Sequence, residues 1–130
     1  MITSVRIRNT GSIGDASLSF EKAGYKYLNE YVLDSRVANP IAIYGCNGSG
    51  KSSFLNAFSF LVNLLNAEPD KISGFMPNLI SLNKDPKTEA GIDIRFSIEE
   101  KEYEYSVNED FEGLKSEILT IDGKTILKRS

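Results

Sequence analysis

Histidine is absent from the 130 residues, and cysteine occurs once, at Cys46. This excludes a Cys/His zinc site, a Ser-His-Asp triad and a Cys-His nucleophile pair, since each needs an imidazole or several thiols. A lone thiol leaves no internal disulfide, which fits a reducing compartment. Long apolar runs are missing too. The longest, Phe60 to Leu65, is interrupted by Asn63 and falls far short of the roughly 20 residues that cross a bilayer. No secretory leader opens the chain, so a cytoplasmic location away from membranes is expected. The net charge of −3 gives no overall basic field for nucleic acid, and Arg6, Arg8, Lys124, Lys128 and Arg129 are expected to be solvated surface rather than a patch. Apolar residues make up 41% and charged residues 25%, the balance of a single globular domain with one core.

What the chain does contain is concentrated between Pro40 and Ala67. Ile41, Ala42, Ile43 and Tyr44 form an apolar run of strand length, predicting a short buried strand. Gly45-Cys46-Asn47-Gly48-Ser49-Gly50-Lys51-Ser52 then fits G-x-x-x-x-G-K-[ST], the pattern of a phosphate-binding loop. Glycines let such a backbone curl so that successive N–H groups point inward, and the helix that follows turns its positive end to the same spot. Lys51 supplies a point charge for the β and γ phosphates, and the Ser52 hydroxyl is a candidate Mg²⁺ ligand. Beyond the loop, Phe54, Phe58, Leu61 and Leu65 recur at helical spacing, with Leu55 and Val62 beside them. Ser53, Asn56, Ser59, Asn63 and Asn66 fall on the other side. A nucleoside triphosphate, ATP in the first instance, with Mg²⁺ is therefore the expected ligand.

The flanking sequence alternates as strands do. Residues 1–8 and 16–20 are expected to pair as a hairpin around Gly11 to Asp15. Residues 25–33 fit either a tyrosine-rich strand or a helical turn and a half, with extended or irregular structure the expectation. Residues 71–86 read as a packed loop. Three strands follow. Residues 91–99 place Ile92, Ile94, Phe96 and Ile98 on one face, residues 102–107 place Tyr103, Tyr105 and Val107 on one face, and residues 114–121 carry Leu114, Ile118, Leu119 and Ile121. Glu100-Lys101 is expected to turn between the first two, and Asp122-Gly123 to turn into a last strand over 124–128. Tyr103 and Tyr105 read as a packed sheet face, and Glu99, Glu100, Glu102 and Glu104 as a solvated edge that discourages strand pairing. This order is not repeated βαβ. It predicts an α+β lobe, a mixed or antiparallel sheet beside one phosphate-loop strand–helix unit.

Among phosphate-loop proteins, a small GTPase would need D-x-x-G followed by N-K-x-D. Here Asn83-Lys84-Asp85 precedes Asp110-Phe111-Glu112-Gly113, so order and spacing fail. A nucleotide kinase would need several arginines around two sets of phosphates, and those present are few and mostly on predicted strands. A first strand ending in Asn within VRIRNTGSIGDASLSF, then an apolar strand running into GCNGSGKSS and a helix of Leu, Ala and Phe, resembles the N-terminal lobe of ABC-type ATPase heads of the SMC, RecF and OLD group. The later IDIRFSIEEKEYEYSV and KSEILTIDGK are similar to the OLD-related AAA ATPases, often labelled AAA15 or AAA21, of prokaryotic anti-phage defence and toxin-like modules.

The resemblance implies a composite ATP site closed by an ATP-dependent homodimer or by a complementary C-terminal lobe, and control of a nuclease or DNA-associated partner. It implies phosphate contacts from Gly45, Asn47, Gly48, Ser49, Gly50, Lys51, Ser52 and Ser53, with Lys51 the catalytic residue and Ser52 on the metal. Ser53 stands at the position that in that group often touches the α-phosphate, and Arg8 to Ser12 fall where the group's first hairpin approaches the nucleotide. The chain also departs from the group. It has no glutamine for a Q-loop, no serine-glycine signature loop, no apolar run ending in Asp-Glu and no switch histidine. Hydrolysis needs a positioned water as well as phosphate clamps. The expectation is thus the N-terminal lobe of a longer ATPase, over residues 1–130, binding ATP but turning it over poorly; the alternative is a nucleotide-binding regulatory module without hydrolysis.

Overall fold

The computed structural model describes residues 1–21, 33–34, 37–38, 42–66 and 88–130. Alternating apolar residues drive the first pairing: β1 (Ile2–Thr10) turns at Gly11 and Ser12 into β2 (Ile13–Ser19), with Val5 opposite Leu18 and Ile7 opposite Ala16. A two-residue ladder joins β3 (Leu33–Asp34) to β4 (Val37–Ala38). One helix among the described residues, α1 (Lys51–Asn66), is followed by the meander β5 (Ala90–Ile98), β6 (Lys101–Asp110), β7 (Gly113–Ile121) and β8 (Lys124–Arg129). The main sheet runs β2-β1-β5-β6-β7-β8, every pairing antiparallel. An antiparallel sheet with a helix on one face is an α+β architecture.

Side-chain parity then builds the core. Val5 and Ile7 of β1 are 2% and 0% exposed, and Ile92, Ile94, Tyr105 and Val107 join them on the same face. Against that face α1 buries Phe54, Ala57, Phe60, Leu61 and Leu64. Phe96 and Tyr103 stack with ring centroids 5.0 Å apart, as their opposite positions in the register require. The alternation expected over 92–96 and 103–107 is thus observed, and so is the Asp122-Gly123 turn, whose φ values of 48° and 79° are the left-handed pair that a two-residue hairpin needs. The β5–β6 hairpin turns at Glu99-Glu100 instead, one residue earlier than expected, with φ 49° and 66°.

Two expectations are corrected. Ala42 to Tyr44 belong to no strand and are exposed, Tyr44 at 90%. An apolar run becomes a strand only where a neighbouring strand takes its backbone hydrogen bonds, and neither described sheet includes Ala42 to Tyr44. The buried face of α1 is also rotated from the expected one. Ala57, Phe60 and Leu64 are inside, Phe58 is half-buried, and Leu65 is exposed with Leu55 and Val62. Apolar residues surround most of this helix, so periodicity alone did not single out the inner stripe. Residues 25–32, Ile41 and residues 71–86, for which irregular, strand and loop structure were expected, lie outside the described residues.

The outer face is polar and organised by Arg8. Its Nη2 donates to Asp93 Oδ1 at 3.0 Å and to Asn108 Oδ1 at 2.9 Å, while Ser106 donates to Asp93 and Asn108 Nδ2 to Ser116 Oγ. The guanidinium crosses over Gly91, where a Cβ would stand 2.5 Å from both Arg8 Nη2 and Asn108 Oδ1. Gly91→Ala is therefore expected to push Arg8 off its partners and cost about 1–2 kcal/mol in urea unfolding.

On the inner face, Glu109 is 3% exposed beside Phe60, Thr10 and Val107, and its Oε1 has no hydrogen-bond partner. Burial pushes its pKa up to about 8 from an ordinary 4.5. A carboxyl raised in the folded state contributes stability that is whole below about pH 4.5 and lost as pH climbs through about 8. Urea midpoints of the wild type should fall between pH 5 and 8.5 relative to Glu109→Gln; parallel midpoint curves for the two proteins would contradict this.

Candidate functional site

The Gly45–Ser52 loop begins after the exposed Ala42 to Tyr44 and ends in the first turn of α1. Ser49 N–H donates to Cys46 O at 3.2 Å, closing the turn at its tip, and Gly48 and Gly50 take left-handed φ values of 79° and 96°. The helix starts cleanly, with Phe54 N–H donating to Gly50 O at 2.9 Å. No acidic residue lies in its first turn, so nothing on the helix itself offsets the positive end of its dipole.

Lys51 reaches back over the loop. Its Nζ donates to Gly45 O and Cys46 O, both at 2.6 Å, and to Ser49 Oγ at 3.3 Å, matching the three N–H bonds of an ammonium to three oxygens. The charge is thereby held over the loop rather than extended into solvent. Asn47, Gly48, Gly50, Lys51, Ser52 and Ser53 line one concave space of about 190 Å³, as does Ser12 from the β1–β2 turn.

Of the eight residues expected at the site, six line this space, while Gly45 and Ser49 stand behind it as partners of Lys51. The Arg8 to Ser12 segment divides: Arg8 is committed to Asp93 and Asn108 on the outer face, and Ser12 reaches the loop. Sequence reasoning located the segment but did not single out Ser12, because a serine in a turn carries no signal of what lies across from it. Cys46 is exposed on the loop.

The lining is chemically one-sided. It offers an ammonium, three hydroxyls, an amide and glycine backbone, with no carboxylate. Such a set suits a polyphosphate anion and repels nothing about it. Among the described residues, no cluster of three or more His, Cys, Asp or Glu could hold a metal ion by itself. Any Mg²⁺ here would need ligands from the phosphates and from Ser52. Among the described basic residues elsewhere, Arg6 pairs bidentately with Asp15, Arg8 with Asp93 and Arg129 with Glu117. Of the glutamates around the β5–β6 turn, Glu104 pairs with Arg95 at 3.4 Å. No described helix is long and apolar enough to cross a membrane.

No curated protein matches the chain. Residues 41–130, from the start of the apolar run before the loop to the last residue, match the family described as "AAA domain, putative AbiEii toxin, Type IV TA system". With its loop, helix and meander all inside that match, the chain belongs to this nucleotide-binding family of AAA domains.

Proposed function

We propose that Gly45–Ser52 is a Walker A loop that binds ATP with Mg²⁺. The observation that carries this is the convergence of Lys51, Ser52, Ser53 and the loop backbone on one carboxylate-free space at a helix N-terminus. Lys51 is positioned to exchange its carbonyl partners for β and γ phosphate oxygens, a short swing for a side chain already folded over the loop. Gly45, Asn47, Gly48, Ser49 and Gly50 shape the cradle, and Ser53 faces it from the helix. Ser52 would hold the metal, which when bound supplies charge neutralisation across the β and γ phosphates.

The wider reading is an ABC-type ATPase head, in which this chain is the N-terminal lobe and Lys51 serves catalysis once a second lobe or a second copy completes the site. Exposed Ile43, Tyr44, Leu55, Val62 and Leu65, on the loop's lead-in and the outer side of α1, support it, since a helix apolar on two sides calls for a second layer. In that reading ATP drives dimerisation that controls a nuclease or DNA-associated partner, in the setting of anti-phage defence or of the toxin systems named by the family's description. A second reading, a nucleotide-binding regulatory module without turnover, is favoured by the lack of any carboxylate in the lining that could position a water.

Isothermal titration with Mg-ATP should show binding by the wild type and a loss of at least about a hundredfold in Lys51→Ala, since the variant removes the one charged donor at the phosphates. Equal affinity in the two would overturn the assignment. Maleimide should label Cys46, which sits on the loop, more slowly when Mg-ATP is present; identical labelling rates in saturating nucleotide would mean that ligand does not cover the loop.

A further inference from the structure

The β1–β2 turn is docked on the phosphate loop by a pair of hydroxyls. Ser12 N–H donates to Ser53 Oγ at 3.2 Å, and the two side-chain oxygens lie 3.2 Å apart, one donating to the other. Gly11 makes the approach possible: its φ is 55°, and a Cβ there would stand 2.5 Å from Ser53 Oγ. Residues 41 positions apart in sequence thus present two hydroxyls to one cavity. Two hydroxyls carry two protons. One bonds the pair together, and the other has no protein acceptor among the described residues.

Building on the phosphate-loop reading, we propose that Ser12 is a phosphate-binding residue. In the loaded site the second proton of the Ser12–Ser53 pair goes to a phosphate oxygen, so that the hairpin and the loop grip the triphosphate together. The Ser12 N–H bond to Ser53 stays in place, because Ser53 Oγ can accept from it while donating elsewhere. Phosphate binding and hairpin docking then favour one another, and the coupling is reciprocal. Occupancy of the loop is in this way transmitted to β1, the strand that α1 rests on.

The test uses the full chain and two probes, Mg-ATP and Mg-tripolyphosphate, titrated into wild type, Ser12→Ala, Ser12→Thr, Ser53→Ala and the double alanine variant. Ser12→Ala should lose about tenfold in affinity for both probes, the size of one hydrogen bond to a charged group, while Ser12→Thr stays within about threefold of wild type. The double variant should lose less than the product of the single losses, since one proton network is removed twice. Hydrogen exchange at residues 11–14 should slow in wild type on adding tripolyphosphate. If wild type binds and Ser12→Ala binds equally well, Ser12 is no ligand and the loop assignment survives. If wild type binds neither probe, both readings fall. If Ser12→Thr binds as weakly as Ser12→Ala, the hydroxyl is not what matters and the proposal is overturned.

Discussion

The seating of α1 on β1 is the contact from which the rest of this architecture follows. Ile7, Val107 and Val5 are the most deeply enclosed apolar residues of the sheet, and the helix packs Phe54, Ala57 and Leu61 into the same cluster. Burial of several large apolar side chains contributes on the order of 1.5–3 kcal/mol each, far more than any exposed ion pair in the molecule. Because the helix is fixed there, its first turn meets the β1–β2 turn, and the loop that precedes it is held open toward solvent. The position of the Lys51 ammonium is thus a consequence of hydrophobic packing one helical turn away.

Polar and apolar faces of the sheet follow opposite rules. On the outer face Arg8, Asp93, Ser106, Asn108 and Ser116 bond to one another across four strands, with Arg8 Nη2 meeting two acceptors while its buried Nε meets none. On the inner face Glu109 is a buried carboxyl whose raised pKa reflects burial without compensation. The exposed pairs, Arg6 with Asp15 and Arg95 with Glu104, add little to stability, as solvent-screened pairs do.

How much of this was legible in the sequence depends on whether the signal was local. Period-two alternation gave the faces of β5 and β6, and Asp122-Gly123 gave its turn, because both are decided by neighbouring residues. Of the eight residues named from the loop pattern and the family resemblance, six line the cavity. What escaped was set by distant partners. The run Ile41 to Tyr44 reads as a buried strand, yet Ala42 to Tyr44 join no described strand and are exposed. The inner stripe of α1 could not be told from its outer apolar residues without knowing which strand it rests on. The roles of Ser12, Arg8 and Gly91 depend on residues 41, 85 and 100 positions away or on the space those leave, and nothing in their own neighbourhood announces them.

The order of strands has a kinetic implication. β5 to β8 form three successive hairpins with short connections, contacts that close quickly because little chain must be ordered first. The β1–β5 pairing joins residues about 85 apart, as Arg8 and Asp93 are, and must wait for a much longer closure. On these grounds the C-terminal meander is expected to order early, and the Gly45–Ser52 loop, whose place depends on a helix seated on β1, to take its shape only after the long β1–β5 closure.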